Sequence, residues 1–412
     1  TDQLIRWGGV SGEQIILHNQ WWRIITAAFI HIGVTHLVMN MWALWVLGTL
    51  AEAVLGAPLY VGIYLVCAIA GSLASLYWNP LVAGAGASGA LMGILGALLS
   101  VLKFARLPLP KEVLRSTIRS LVQGAVLTLL IGILPRIDNA AHLGGLTCGL
   151  FMGLLLSLTR RADYTVQRPL RQICLIAPFA LMVPIAMYVQ KRGEPELHLQ
   201  HAVMQMQTGD YQNAEKEART AQRHLRDRPD VLEVLAEISI YEAKDTEAAT
   251  YLRQLISQDP TNEFAVNRLA MIELKEGDAS GALELLTRTL PLQPRNGYGQ
   301  VYCGRALQVL NDDKQAIEHY RKAVEIEPQL YEAQLALGSI YEKDKQPRNA
   351  LLFYREAAKL RPQEVDPLRG LARVYLEIGA KKEADQTIEQ IRVLENSKEQ
   401  QTGKRGSGSG RK

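Results

Sequence analysis

The sequence predicts an all-α chain in two parts, a polytopic membrane helix bundle followed by an α-solenoid. Three observations predict it: long uncharged apolar runs through the first half, an uneven division of charge, and a fixed 34-residue period through the second half. Of the 45 Lys and Arg only 12 fall in residues 1–190, with 6 of the 41 Asp and Glu, and all six Trp precede Asn79. The first half therefore has a membrane composition and the second that of an ordinary soluble domain. The basic excess belongs to the membrane half, where loop position accounts for it and no nucleic-acid partner is implied. Cys67, Cys148, Cys174 and Cys303 show no close spacing, so neither a disulfide framework nor a zinc site is expected.

Taken in order, the apolar runs place spans near 35–55, 59–78, 86–102, 118–134, 139–158 and 172–190. The last carries Pro178 and Pro184 and is barely long enough, so an interfacial helix is its alternative. Lys103, Arg106, Lys111, Arg115 and Arg119 lie between the third and fourth spans; Arg160, Arg161, Arg168 and Arg171 lie between the fifth and sixth. Two crossings separate these loops, so both lie on one side, which the Lys/Arg excess makes cytoplasmic. The spans holding His36, Ser88 and His142 then all enter from outside, each with its polar residue near the start. From Ser88 to Leu102 is 15 residues. That is about 22 Å of helix, against a hydrocarbon core about 30 Å thick. Ser88 is therefore expected below the outer surface, reached through a water-filled cavity.

Ser88 stands in Gly86-Ala87-Ser88-Gly89 and His142 in Ala140-Ala141-His142-Leu143-Gly144-Gly145, both apolar, glycine-rich settings. Polar and ionisable groups in such segments are functional suspects, here a nucleophile and its base. The string from Gly84 to Gly89 spells GxGxxG, but a membrane helix follows it in place of a βαβ unit and the next acid, Glu112, stands in a basic loop, so a dinucleotide site is rejected. A GxSxG elbow fails because Ala90 occupies its last position. Gly89 and Gly93 repeat at four residues, as do Gly96 and Ser100, and Gly145, Gly149 and Gly153 form a second small-residue stripe. If the stripes pack together, His142 is aimed at the serine helix. His36 and Asn40, also four apart, share one helical face and could donate to an oxyanion. Asp138 is a candidate third member, but a helix N-cap shared with Asn139 is its simpler reading.

In the second half Ala214, Ala248, Ala282, Ala316, Ala350 and Ala384 recur every 34 residues, as do Pro260, Pro294, Pro328 and Pro362. Gly304 and Gly338 keep that register, with Tyr341 and Tyr375. This is the tetratricopeptide period, and six repeats fit it, the first irregular around Arg226–Pro229. Such arrays stack into a curved superhelix whose groove takes a protein or peptide ligand.

Trp22-Arg23, His31, His36-Leu37-Val38-Met39-Asn40, Gly48 with Glu52, Gly86-Ala87-Ser88-Gly89 and Ala141-His142-Leu143-Gly144-Gly145 together resemble, over roughly residues 7–158, the rhomboid family of intramembrane serine proteases. The resemblance implies a Ser88–His142 catalytic dyad without a required carboxylate. It also implies an oxyanion site made by His36, Asn40 and the Ser88 backbone N–H, with no cofactor and no metal. Repeats after an additional last span resemble a bacterial subgroup with a six-plus-one arrangement. The family has a further membrane helix before the Trp-Arg loop; Thr1–Gln20 is too short and polar to supply it, so the chain reads as a fragment lacking that helix. Arg23 and Glu52 read as structural polar anchors.

The expected organisation is a protease domain over 1–160, a basic linker and extra span over 161–192, six repeats over 193–396 and a flexible basic tail over 397–412. The expected function is a serine endopeptidase of a bacterial inner membrane, acting on segments of membrane proteins near the extracytoplasmic face. By parity the repeats are also extracytoplasmic, although Lys191 and Arg192 pull the other way. The alternative is a non-catalytic, membrane-anchored adaptor in which the repeats do the work. A transporter or channel is disfavoured because the polar groups cluster at one depth.

Overall fold

A computed structural model describes residues 2–105, 107–134, 137–159 and 164–406. Of the nine cations expected in loops between the spans, Arg106, Arg160 and Arg161 lie outside the described residues, and Lys103, Lys111, Arg115, Arg119, Arg168 and Arg171 stand within helices. The chain divides into two compact units, Thr1–Arg226 and Asp227–Lys412.

The first unit opens with helix α1 (Asp2–Arg6), strand β1 (Val10–Ser11), a π-helical turn over Glu13–Leu17, helix α2 (Arg23–Thr26) and a 3-10 turn over Ala27–Phe29. Helices α3 (Gly33–Leu55), α4 (Ala57–Trp78), α5 (Ser88–Phe104), α6 (Lys111–Ile131) and α7 (Asn139–Thr159) follow. Between α4 and α5, strand β2 (Ala83–Gly84) pairs antiparallel with β1, Val10 opposite Gly84 and Ser11 opposite Ala83. Helix α8 (Tyr164–Gln207) is 44 residues long, and α9 (Tyr211–Gln222) folds back on it. α3, α4, α6, α7 and the Pro169–Gln207 part of α8 are long and apolar enough to cross a membrane, whereas α5 is a shorter apolar helix. The unit is a polytopic membrane helix bundle. One junction shows how the sequence sets the corners. Gly56 adopts φ +85° and its N–H bonds the Glu52 carbonyl, ending α3, while Pro58 starts α4 where a missing N–H does no harm.

α5 is the central helix, with thirteen of its 17 residues buried among Ile63, Val66 and Cys67 of α4, Leu121 and Ala125 of α6, and Met152 and Leu156 of α7. The two small-residue stripes meet. A Cβ at Gly145, Gly149 or Gly153 would overlap the carbonyl oxygens of Gly89, Gly93 and Ala97 in turn, so α5 and α7 touch backbone to backbone. Ser100 Oγ donates across the same seam to the Leu150 carbonyl at 2.8 Å. On the other side of α7, a Cβ on Gly144 would lie 2.9 Å from the Ala70 carbonyl oxygen of α4.

The predicted last span, 172–190, lies inside α8, which stays helical through Pro169, Pro178, Pro184 and Pro195. Because α8 runs unbroken through 193 and α9 packs on it, the compact division falls at Arg226 rather than at the start of the repeats.

The second unit is a run of helical hairpins. It comprises α10 (Pro229–Tyr241) with α11 (Asp245–Gln258), α12 (Glu263–Lys275) with α13 (Ala279–Thr289), and α14 (Gly297–Val309) with α15 (Asp313–Ile326). α16 (Tyr331–Lys343) pairs with α17 (Pro347–Leu360), and α18 (Asp366–Glu377) with α19 (Lys381–Gly406). The periodic alanines Ala248, Ala282, Ala316, Ala350 and Ala384 are fully buried in the second helix of each hairpin. In the first unit Ala214 holds the same place in α9. Gly304 and Gly338 make room for the rings of Tyr320 and Tyr354, whose hydroxyls donate to Gln308 and Glu342, each at 2.6 Å. The expected tail from 397 is not a separate segment as far as Gly406. α19 continues through it, in keeping with its Lys, Glu and Gln residues; residues 407–412 lie outside those described.

A second 34-residue register appears only in the backbone. Gly209, Ala243, Gly277, Asn311, Lys345 and Gly379 all have positive φ, between 58° and 86°, at the turn between the two helices of a hairpin. Glycine adopts this conformation without strain; Ala and Lys do not.

Two outcomes follow from this packing. Gly149→Val forces α5 and α7 apart and should lower stability by about 3 kcal/mol or more, whereas Gly124→Ala, whose Cβ would meet Leu95 Cδ1 at an ordinary 3.8 Å, should be tolerated. Thermal unfolding of both in micelles checks this. Ala243→Gly should stabilise the repeats by about 0.5–1 kcal/mol, and Gly277→Ala should destabilise them similarly, read from urea unfolding of the full chain.

Candidate active site

Ser88 is the first residue of α5, and His142 lies in the first turn of α7. Gly145 sits on Gly89, so the residues one step before Gly89 and one turn before Gly145 face each other across the seam. His142 Nε2 is 2.8 Å from Ser88 Oγ. The ring is buried, with 6% of its surface exposed, and its Nδ1 lies 3.3 Å from Asn139 Oδ1.

Among the described residues, the Asp138 carboxylate hydrogen-bonds elsewhere and not to this imidazole. Its Oδ1 accepts from the Ala141 N–H at 3.0 Å, capping α7, and its Oδ2 accepts from the Ser75 hydroxyl of α4. The cap reading holds for Asp138 and not for Asn139. Asn139 donates its amide to the Leu129 carbonyl at 3.1 Å and turns its oxygen to His142.

The loop before Ser88 is pinned by Gly86, whose N–H bonds the Ala27 carbonyl at 2.9 Å and whose φ is +142°. A Cβ there would lie 3.0 Å from His36 Nε2 and 3.8 Å from Asn40 Nδ2, so α3 brings both side chains to the approach to Ser88. The Ile32 N–H donates to His36 Nδ1 at 3.3 Å. In the neutral ring the proton is then on Nε2, facing Gly86. Asn40 is buried, and among the described residues its Nδ2 has no hydrogen-bond partner. The Ser88 N–H adds a first-turn donor at the positive end of α5. The space beside Gly86 is thus bordered by donors, the arrangement that suits a developing oxyanion.

His31, part of the motif set but without a role assigned from sequence, stands edge-on to His36 with ring centroids 5.3 Å apart and a buried, unpartnered Nε2. Burial pushes its imidazole pKa down, opposed by a bond to the Phe29 backbone. Arg23 anchors the segment before α3 as expected. Its guanidinium reaches the carbonyls of Ile5 at 2.5 Å and Gly9 at 3.2 Å, and its Nε donates to Gln20 Oε1 at 2.7 Å. Glu52 is exposed on α3, and Gly48 one turn earlier is buried against the Tyr60 hydroxyl. Ser75, and the bond of Asn139 to Leu129, are not signalled by any spacing in the sequence, because the partners lie 63 and 10 residues apart. Among the described residues no group of three or more His, Cys, Asp or Glu is placed to hold a metal ion.

Asp138→Ala should lower thermal stability by about 1 kcal/mol through loss of the α7 cap, while Asp138→Asn, which still caps, should lose less; unfolding in micelles compares them.

The Rhomboid domain profile matches residues 18–159, and a tetratricopeptide repeat profile matches 304–330 and 331–364. The chain is 30% identical to the rhomboid protease GluP of Bacillus subtilis over 275 residues, which is 66% of this chain and 52% of that protein. It is 37% identical to the mitochondrial RHOMBOID-like protein 6 of Arabidopsis thaliana over 164 residues, 40% of this chain and 53% of that one. It is 31% identical to the rhomboid protease AarA of Providencia stuartii over 169 residues, 35% and 59% respectively. The chain spans about half the length of the curated relatives it matches. The solved structure of Pseudomonas aeruginosa PilF aligns with 49% of this chain and 91% of that one, at a TM-score of 0.44 and 17% identity. Residues 18–159 are a rhomboid domain, and the chain is a rhomboid-domain membrane protein that carries tetratricopeptide repeats.

Proposed function

We propose that this chain is an intramembrane serine endopeptidase cleaving transmembrane or juxtamembrane segments of membrane proteins, with Ser88 as nucleophile and His142 as its base. The observation that carries this reading is the 2.8 Å approach of His142 Nε2 to Ser88 Oγ, inside a bundle of membrane helices. His142 takes the hydroxyl proton as Ser88 Oγ attacks the scissile carbonyl, then returns it to the leaving amine. His36 Nε2–H, Asn40 Nδ2 and the Ser88 N–H stabilise the tetrahedral oxyanion. Water deacylates Ser88 by the same route in reverse. A helical substrate hides its carbonyls in hydrogen bonds, so the favoured segments are those with small residues or proline that unwind locally.

The Lys and Arg residues gathered where α5 gives way to α6 and α7 to α8 support an active site opening toward the extracytoplasmic side of a bacterial inner membrane. The repeats, over 193–396, supply a protein- or peptide-binding array and follow the last span to that same side. Cleavage of a reconstituted membrane-protein substrate tests the reading. Ser88→Ala and His142→Ala should each reduce the rate by about 10³-fold or more, and a fluorophosphonate probe should label wild type but not Ser88→Ala. Cleavage that survives in Ser88→Ala would overturn it; wild type that neither cleaves nor labels would leave the membrane-anchored adaptor.

A further inference from the structure

The imidazole in a serine–histidine pair is useful in only one tautomer. Nε2 must be free to accept the serine proton, so the ring proton must sit on Nδ1. Left alone, a neutral imidazole does not hold that form, so something on the Nδ1 side has to select it. Asp138, the neighbouring carboxylate, is spent elsewhere, with Oδ1 on the Ala141 N–H and Oδ2 on the Ser75 hydroxyl.

We infer that Asn139 is the positioning residue that fixes the tautomer and orientation of His142; the inference rests on the protease reading for its catalytic consequence. A backbone carbonyl can only accept, and the Leu129 carbonyl of α6 lies 3.1 Å from one end of the Asn139 amide. That end is therefore the NH2 group. The other end is then the oxygen, 3.3 Å from His142 Nδ1. An acceptor facing Nδ1 requires the proton there, which leaves Nε2 as acceptor toward Ser88 Oγ at 2.8 Å. The chain of bonds has one polarity only. Gly132, just past the end of α6, leaves the room this side chain occupies, since a Cβ there would overlap the Asn139 amide. α6, which contributes no residue to the dyad, thus sets the base through one carbonyl and one missing side chain.

The test is nitrogen-15 NMR of histidine-labelled full chain in bicelles, with His142 assigned by His142→Gln, alongside cleavage rates for Asn139→Leu and Asn139→Asp. Wild type should show the neutral ring protonated at Nδ1. Asn139→Leu, which fills the space without an acceptor, should lose that tautomer and slow cleavage roughly 10- to 100-fold, part of what a general base supplies. Asn139→Asp keeps the acceptor and gives up the bond to Leu129, so it should retain the tautomer and most of the rate. A purely structural role predicts the reverse, with Asp as damaging as Leu. A ring protonated at Nε2 in wild type, an unchanged tautomer in Asn139→Leu, or an Asp variant as slow as Leu would each overturn the inference. If Asn139→Leu does not fold, Asn139→Ala, which can clash with nothing, gives the same readout. Wild type with the expected tautomer but no cleavage would count against the protease reading and in favour of this one.

Discussion

Where Gly145, Gly149 and Gly153 rest on the carbonyls of Gly89, Gly93 and Ala97, two helices approach until their backbones touch. In a bilayer there is no water to drive apolar side chains together, so helices associate by close packing and a few interhelical hydrogen bonds. The stripe supplies the packing, and Ser100 with the Leu150 carbonyl supplies one of the bonds. The register of that seam is discrete, because each glycine accommodates one particular carbonyl. A slip by one residue would place a side chain where none fits. The distance between Ser88 and His142 is inherited from this register, since both residues extend the two stripes by less than one turn. Catalytic geometry here is a consequence of helix packing.

Polar groups in such a bundle are expensive unless paired, and the pairing is thorough around α7. Ser75 and the Ala141 N–H share the two oxygens of Asp138, Asn139 is held between Leu129 and His142, and His142 reaches Ser88. Against this background, Asn40 Nδ2 and His31 Nε2 stand out as buried polar atoms without a partner among the described residues. A buried group left unsatisfied costs about 1–3 kcal/mol. Its persistence beside Gly86 is reasonable where donors are kept ready for a charge that exists only during reaction.

The repeat unit solves a different problem with the same means. Fully buried alanines and the glycines facing Tyr320 and Tyr354 again set how closely helices approach, but in water the burial of large side chains drives the packing. Asp210, Asp278 and Asp312 cap the second helix of their hairpins by accepting from the N–H three residues on, directly after the left-handed turn residue. Turn and cap therefore form one unit repeated along the chain.

The sequence by itself determined the helical class, the order of the apolar helices, the repeat period and the residues gathered at the site. Each of those is written in local composition or in a fixed spacing: apolar run length, glycines four apart, alanines 34 apart, His36 and Asn40 on one helical face. Spacing within one helix fixes which side chains share a face, so it was legible without coordinates. What tertiary structure decided were the bonds between helices. That Asp138 turns to Ser75, that Asn139 is anchored on α6, that Glu52 is exposed, and that α8 runs through its four prolines all depend on which neighbour lies opposite. The left-handed turns at Ala243 and Lys345 belong with these, because the residue types disfavour the conformation and only the packed hairpin imposes it.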